Sequence, residues 1–196
     1  TNKFSVMSPL AGDVVITKGR LAYLEYGLGD DRLGGAKIGY IDSLIPLKIT
    51  GKVGSHFKVK LAGSRTAYIP DDVVIVMPKG SFSGTSLTGK IFASGDSAFD
   101  YVSIPLSSRL PYQSMQLLNP SRIVVDIFGA TNNSNWISQL QTAREIEHLD
   151  YEQVADDIFR ISIQLKHRQH WGHRLYYRGN TLIIKIKQQP LKLSLK

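Results

Sequence analysis

Residues with chemical potential concentrate in one short run, Lys166-His-Arg-Gln-His-Trp-Gly-His-Arg174, where imidazoles, guanidinium groups and an indole stand nearly side by side. His167, His170 and His173 form an H-x-x-H-x-x-H pattern, and imidazole is the commonest ligand of divalent metals. The spacing argues against one shared ion. On a strand, positions three apart face opposite sides, and on a helix such a set spreads over about a third of the circumference, too wide for a tetrahedral site. Lys166, Arg168 and Arg174 would also repel a cation, with no carboxylate between them. No metal site is expected. The same residues suit an anion or a sugar. Arg168, Arg174 and Arg178 offer planar donors to carboxylates or phosphates, while Trp171, Tyr176 and Tyr177 offer flat apolar faces. Arg168, His170, Trp171, Arg174, Tyr176 and Arg178 are therefore the candidate binding residues. The competing reading is that Trp171 and one tyrosine close a core, since both residue types are usually buried with a polar tip left wet.

Other patterns carry less chemistry. Gly27-Leu-Gly29-Asp-Asp-Arg-Leu-Gly34-Gly35 lacks the G-x-G-x-x-G spacing, and Asp30 with Asp31 would oppose a phosphate. Asp30-Asp31, Asp71-Asp72 and Asp156-Asp157 read as turn initiators. There is no G-x-S-x-G elbow and no H-E-x-x-H. Neither catalysis by this chain nor a cofactor is expected. The chain has no cysteine, which removes disulfides, thiolate chemistry and thiolate zinc sites. A net charge of +8 favours an anionic partner, whether nucleic acid, phospholipid headgroups or an acidic wall polymer. No apolar run approaches the ~20 residues that cross a bilayer. A start at Thr1 fits a processed or trimmed chain, so a removed export signal is expected.

These side chains need elements to position them, and the apolar periodicity predicts strands almost throughout. Phe159, Ile161, Ile163 and Leu165 alternate with Arg160, Ser162, Gln164 and Lys166. Leu182, Ile184 and Ile186 alternate with Lys185 and Lys187 after the turn signal Arg178-Gly179-Asn180. The two segments predict a hairpin-like pair with the basic run as its connection. Further strands are expected at 91–94, 101–106, 112–118, 122–128, 146–154 and 175–177, a series that suits a β-sandwich. A short helix is expected within 135–145. Upstream, short strands at 14–16, 21–26, 45–49, 57–61, 66–69 and 73–77 predict a small β-barrel, with 27–43 as a polar surface loop. The fold class is thus all-β, with a barrel domain over 1–77, a Gly-, Ser- and Thr-rich linker over 78–88 and a sandwich domain over 89–190.

Ser121-Arg-Ile-Val-Val-Asp-Ile-Phe-Gly129, Tyr151-Glu-Gln-Val-Ala-Asp-Asp-Ile-Phe-Arg-Ile-Ser-Ile-Gln-Leu165 and Asn180-Thr-Leu-Ile-Ile-Lys-Ile-Lys187 together resemble the AMIN domain family, over about half of the chain. The resemblance implies a β-sandwich of the kind that precedes the catalytic domains of N-acetylmuramoyl-L-alanine amidases and occurs in envelope secretion proteins. Such domains hold enzymes at peptidoglycan, often at division sites. Phe57-Lys-Val-Lys-Leu-Ala-Gly-Ser-Arg-Thr-Ala-Tyr-Ile69 and the Val-Val-Ile-Val run ending at Val76 resemble a bacterial SH3-like domain. The two domains are then expected to be the non-catalytic N-terminal region of an amidase, with 191–196 opening a linker and zinc-dependent hydrolysis lying beyond Lys196.

The function expected is that of a periplasmic or cell-envelope targeting module. It would bind peptidoglycan or another anionic envelope polymer, or a division-site protein. One rival is a nucleic-acid-binding β protein, because small barrels with basic, ring-bearing surfaces hold single strands. A second is a protein interaction module that recruits a partner along an exposed strand edge.

Overall fold

The computed structural model describes residues 9–20, 22–25, 27, 37–134, 137–139 and 142–190. Strands dominate, and the longest helical element among the described residues is one 3-10 turn, Asp71–Val73. The all-β class follows from alternation, because a residue pattern of period two can bury one face of a pleated strand and leave the other wet. The chain divides into two compact units, Thr1–Ser83 and Gly84–Lys196.

The first unit contains β1 (Val14–Thr17), β2 (Tyr23–Glu25), β3 (Lys37–Tyr40), β4 (Pro46–Val53), β5 (His56–Ala62), β6 (Arg65–Pro70) and β7 (Val74–Val76). They form one seven-stranded sheet in the order β3-β2-β6-β5-β4-β1-β7. Val15, Leu47, Ile49, Phe57, Val59, Leu61, Ala67 and Ile69 are buried. The small barrel expected here is not closed. Its two end strands, β3 and β7, are short, each pairs on one side, and no ladder joins them among the described residues. Residues 37–40, read from sequence as part of a surface loop, are strand β3. Leu21, Tyr26 and the glycine-bearing stretch 28–36 lie outside the described residues.

The second unit contains β8 (Ser86–Leu87), β9 (Ile91–Gly95), β10 (Phe99–Pro105), β11 (Tyr112–Leu118), β12 (Ser121–Phe128), β13 (Ala130–Thr131), β14 (Ile137–Gln139), β15 (Ile146–Ala155), β16 (Ile158–Leu165), β17 (His173–Arg178) and β18 (Thr181–Lys187). A five-stranded sheet, β14-β9-β10-β18-β17, and a four-stranded sheet, β11-β12-β16-β15, supply the layers, with a small parallel β8-β13 pair beside them. Val102, Ile104, Leu182, Ile184 and Ile186 of the first sheet and Ile123, Val125, Ile127, Phe159, Ile161 and Ile163 of the second are buried. Each fully buried aliphatic or aromatic side chain contributes about 2 kcal/mol of transfer free energy, so these facing rows hold the layers together. Rings also meet across them, Tyr112 and Tyr177 at 6.0 Å between centroids. The Tyr177 hydroxyl both accepts from Leu110 N at 2.9 Å and donates to Leu110 O at 2.7 Å.

Two expectations are corrected here. The hairpin-like pairing of 159–165 with 182–187 does not form: β16 pairs with β12 and β15, whereas β18 pairs with β10 and β17. Alternation shows which side chains are buried but not which sheet they join, and the basic run crosses from one layer to the other. The hairpin that does form is β17-β18, closed by Gly179-Asn180, with Gly179 at φ +59° where a side chain would be strained. The helix expected within 135–145 is also absent among the described residues. Ile137–Gln139 instead pairs in parallel with Ile91, Phe92 and Ala93 of β9, a long-range ladder that outweighs local helix propensity. Asn135, Trp136, Leu140 and Gln141 lie outside the described residues.

Candidate functional site

Register builds the site on the outer face of the five-stranded sheet. Residues directly opposite one another share a face, and three rows run across β10, β18 and β17. Tyr101 faces Lys185, which faces Arg174; Ser103 faces Ile183, which faces Tyr176; Pro105 faces Thr181, which faces Arg178. Phe99 stands one step beyond, opposite Lys187. These rows lie on the face opposite the core that Val102, Ile104, Leu182, Ile184 and Ile186, of the other parity, fill, and Ile183 alone among them is buried.

The cations sit on the rings. Lys185 Nζ lies 3.8 Å from the Phe99 ring centre and 5.9 Å from that of Tyr101, and Arg174 lies 5.9 Å over Tyr176. At the sheet margin Lys90 covers exposed Phe92 at 5.3 Å. Among the described residues no carboxylate lies within ion-pair distance of Lys185, Lys187, Arg174 or Arg178. The four-stranded sheet contrasts with this. There Arg160 forks onto Asp126 at 2.6 and 2.9 Å, and Gln164 donates to Glu147 at 2.8 Å.

Asp96 anchors the rim. Its Oδ1 accepts from Ala98 N and Phe99 N, both at 2.8 Å, and its Oδ2 accepts from the Tyr101 hydroxyl at 2.9 Å. The two backbone donors, then Tyr101, hold this carboxyl below the usual carboxylate range. Burial, then the hydrogen bond to Asp96, pushes the Tyr101 hydroxyl up, so it stays protonated near neutrality.

The six residues singled out from sequence divide between this face and the crossover. Arg174, Tyr176 and Arg178 lie on the face. Arg168, His170 and Trp171 lie on the 166–172 crossover, where Arg168 donates to Asn119 Oδ1 at 3.2 Å and Trp171 packs edge-on to His167 at 5.7 Å. The three imidazoles diverge. His167 Nδ1 meets buried Glu145 Oε2 at 2.9 Å, whereas His170 and His173 pack edge to face at 5.1 Å. His173 Nε2 lies 3.0 Å from Ser114 Oγ, linking β17 to β11. Gly172 N donates to His170 Nδ1 at 3.0 Å, while His170 Nε2 is buried without a partner. Burial, then the neighbouring His170, lowers His173 to about 4, and burial also lowers His170. Both are neutral at pH 7, so His170 adds no positive charge there. No group of three or more His, Asp or Glu among the described residues could hold a metal ion.

Phe99, Tyr101 and Lys185 were not singled out from sequence. Their signal is parity: Phe99, Tyr101 and Ser103 alternate with buried Val102 and Ile104, as Lys185 does with Ile184 and Ile186. What the sequence lacks is the register that joins Tyr101 to Lys185 across more than eighty residues.

Comparison with known proteins places this sandwich. No curated protein matches the chain. The family model for the AMIN domain matches residues 92–195, a stretch holding both sheets and all six candidate residues. By that match, which spans more than half of its length, the chain belongs to the AMIN domain family.

Proposed function

We propose that this chain is a cell-envelope targeting module, which binds peptidoglycan through the outer face of its five-stranded sheet and thereby holds an attached N-acetylmuramoyl-L-alanine amidase at its polymer. The observation that carries this reading is the row of unpaired cations lying over Phe99, Tyr101 and Tyr176. Sugar rings present apolar faces that stack on such side chains, and guanidinium forks meet the carboxylates of the polymer. AMIN domains as a family serve peptidoglycan-associated proteins, which supports the same polymer. In this reading 1–77 is an SH3-like domain, 89–190 is the AMIN domain, and zinc-dependent hydrolysis belongs to a further domain of the parent. The module acts in the periplasm or envelope and raises the local concentration of the enzyme, so weak contacts gain through multivalency. A division-site protein would add a second attachment.

Sedimentation with purified peptidoglycan sacculi at low salt tests the proposal. The protein is expected in the pellet, with Tyr176→Ala and Lys185→Ala each weakening retention by about fivefold, the effect of losing roughly 1 kcal/mol of ring or cation contact. Protein left wholly in the supernatant would refute it. Tight, steeply salt-dependent binding to single-stranded DNA without sacculus binding would favour the nucleic-acid rival instead.

A further inference from the structure

The edge of a sheet exposes backbone groups that a further strand can take up. In the second unit β15 and β17 each pair on one side, and among the described residues no strand covers the other side of either. These two free edges carry opposite charge. Asp150 and Glu152 of β15 are exposed, as are Arg174 and Arg178 of β17. Among the described edge strands β15 alone carries carboxylates, and none but β17 carries more than one Lys or Arg. Among the described residues neither arginine lies within ion-pair distance of a carboxylate, nor Asp150 or Glu152 of a cation. Glu152 stands opposite Arg160, whose guanidinium is already forked onto Asp126.

The ladders fix what each edge offers, because antiparallel partners alternate between hydrogen-bonded and non-hydrogen-bonded pairs. Lys187 N donates to Gly172 O at 2.9 Å. The even-numbered residues of β17 therefore bond β18, and the N–H and C=O groups of His173, Leu175 and Tyr177 point to the free edge. Gly129 N donates to Asp157 O at 2.7 Å, so odd-numbered residues of β16 bond β12 and even-numbered ones bond β15. That leaves Leu149, Tyr151 and Gln153 with backbone groups directed outward. On both strands the residues between them, 174, 176 and 178 on one and 148, 150 and 152 on the other, lie on the face away from the core.

We propose that β17 of one copy pairs antiparallel with β15 of a second copy, so that this chain assembles head to tail. In the register that sets Arg174 opposite Glu152, the outward backbone groups fall into hydrogen-bonded pairs, His173 with Gln153, Leu175 with Tyr151 and Tyr177 with Leu149. The charged side chains fall into the non-hydrogen-bonded pairs, where Cβ atoms stand about 5 Å apart. Asp150 then faces Tyr176 and has both arginines as diagonal neighbours. Parallel pairing would instead lay the outer face of one strand beside the inner face of the other, where the body of the second copy stands. Charge selects the occupant. Two β17 edges would bring four arginines together and two β15 edges four carboxylates, whereas one of each brings opposite charges into register. The neutral edge β11, Tyr112–Leu118, offers neither sign. Each copy has one edge of each kind, so the contact is heterologous and leaves both ends of an assembly open.

Sedimentation velocity of the full chain over a concentration series tests the proposal. The coefficient is expected to rise with concentration through species larger than a dimer, and to fall back towards the monomer at high salt. Arg174→Glu and Glu152→Arg are each expected to weaken association about tenfold or more. Mixed in equal amounts, the two variants are expected to associate again, because each reversal supplies the partner that the other lacks; fold damage does not produce that rescue. Amide exchange at Leu175 and Tyr151 is expected to slow as the concentration rises, while that at Tyr176, already bonded to β18, stays unchanged. A monomer at every concentration, growth that stops at a dimer, association that neither reversal weakens, or variants that stay monomeric when mixed would each overturn it. The proposal does not rest on sugar binding, and sacculus sedimentation below the associating range tests that reading by itself.

Discussion

Burial governs the imidazoles at the β11–β17 margin. His173 has a folded-state value of about 4, against about 6.5 for an ordinary histidine, because its ring is desolvated and His170 lies beside it. The unfolded chain therefore takes up this proton first as pH falls. The stability His173 contributes is complete above about pH 6.5, declines between 6.5 and about 4, and changes no further below that. Asp96 works in the opposite sense. Its depressed value contributes stability that is present above 3.8 and lost in more acidic solution, so the two windows separate. Thermal melts at pH 7, 5 and 4 are expected to show Tm falling across the histidine window, with a smaller fall in His173→Gln. Equal falls in both proteins would free His173 of this role. The basic, ring-rich run was visible as a cluster in the sequence, but the neutrality of His170 and His173 was not, since it comes from packing against β11 and against each other.

At the scale of elements, one buried carboxylate ties a loop to a sheet. Asp100 of β10 is fully buried and accepts from the backbone N–H groups of Arg144, Glu145 and Ile146, at distances from 2.6 to 3.0 Å, and from Gln188 Nε2 at 2.8 Å. Removing it strands several donors at once. Asp100→Ala is expected to cost about 3 kcal/mol, read as a shift in the urea midpoint of the second unit, and a shift under 1 kcal/mol would show that water replaces the carboxylate. Nothing local marks Asp100, whose partners lie more than forty residues away. Strands with one buried face were legible from alternation, as 101–105 and 159–165 show. Partner choice was not legible, because the alternation of 159–165 and 182–187 suits one shared sheet as well as the two different sheets they join. The short strands β8, β13 and β14 escaped because two or three residues carry no period, and because their parallel partners are remote.

For the whole molecule, the two compact units meet within a stretch rich in Gly, Ser and Thr, where Lys79 is exposed. Limited trypsin digestion is expected to cut first near Lys79 and to leave a resistant fragment that begins there and contains β9 to β18. Early cleavage throughout 91–187 would count against independent folding of the second unit. The basic face was partly legible. Arg174, Tyr176 and Arg178 were named from sequence, yet the ring-bearing face became visible only when β10 was set beside β18. The opposite charges of β15 and β17 stand in the sequence, but the ladder phase that directs backbone groups outward at each edge does not. The interior position of β18, between β10 and β17, also has a mechanical side. Tension entering at residue 188 would load the ladders to β10 and β17 along their length, in shear, so many hydrogen bonds would have to fail together. Gln188, clasped to Asp96 and Asp100, is the first stitch such a pull would meet.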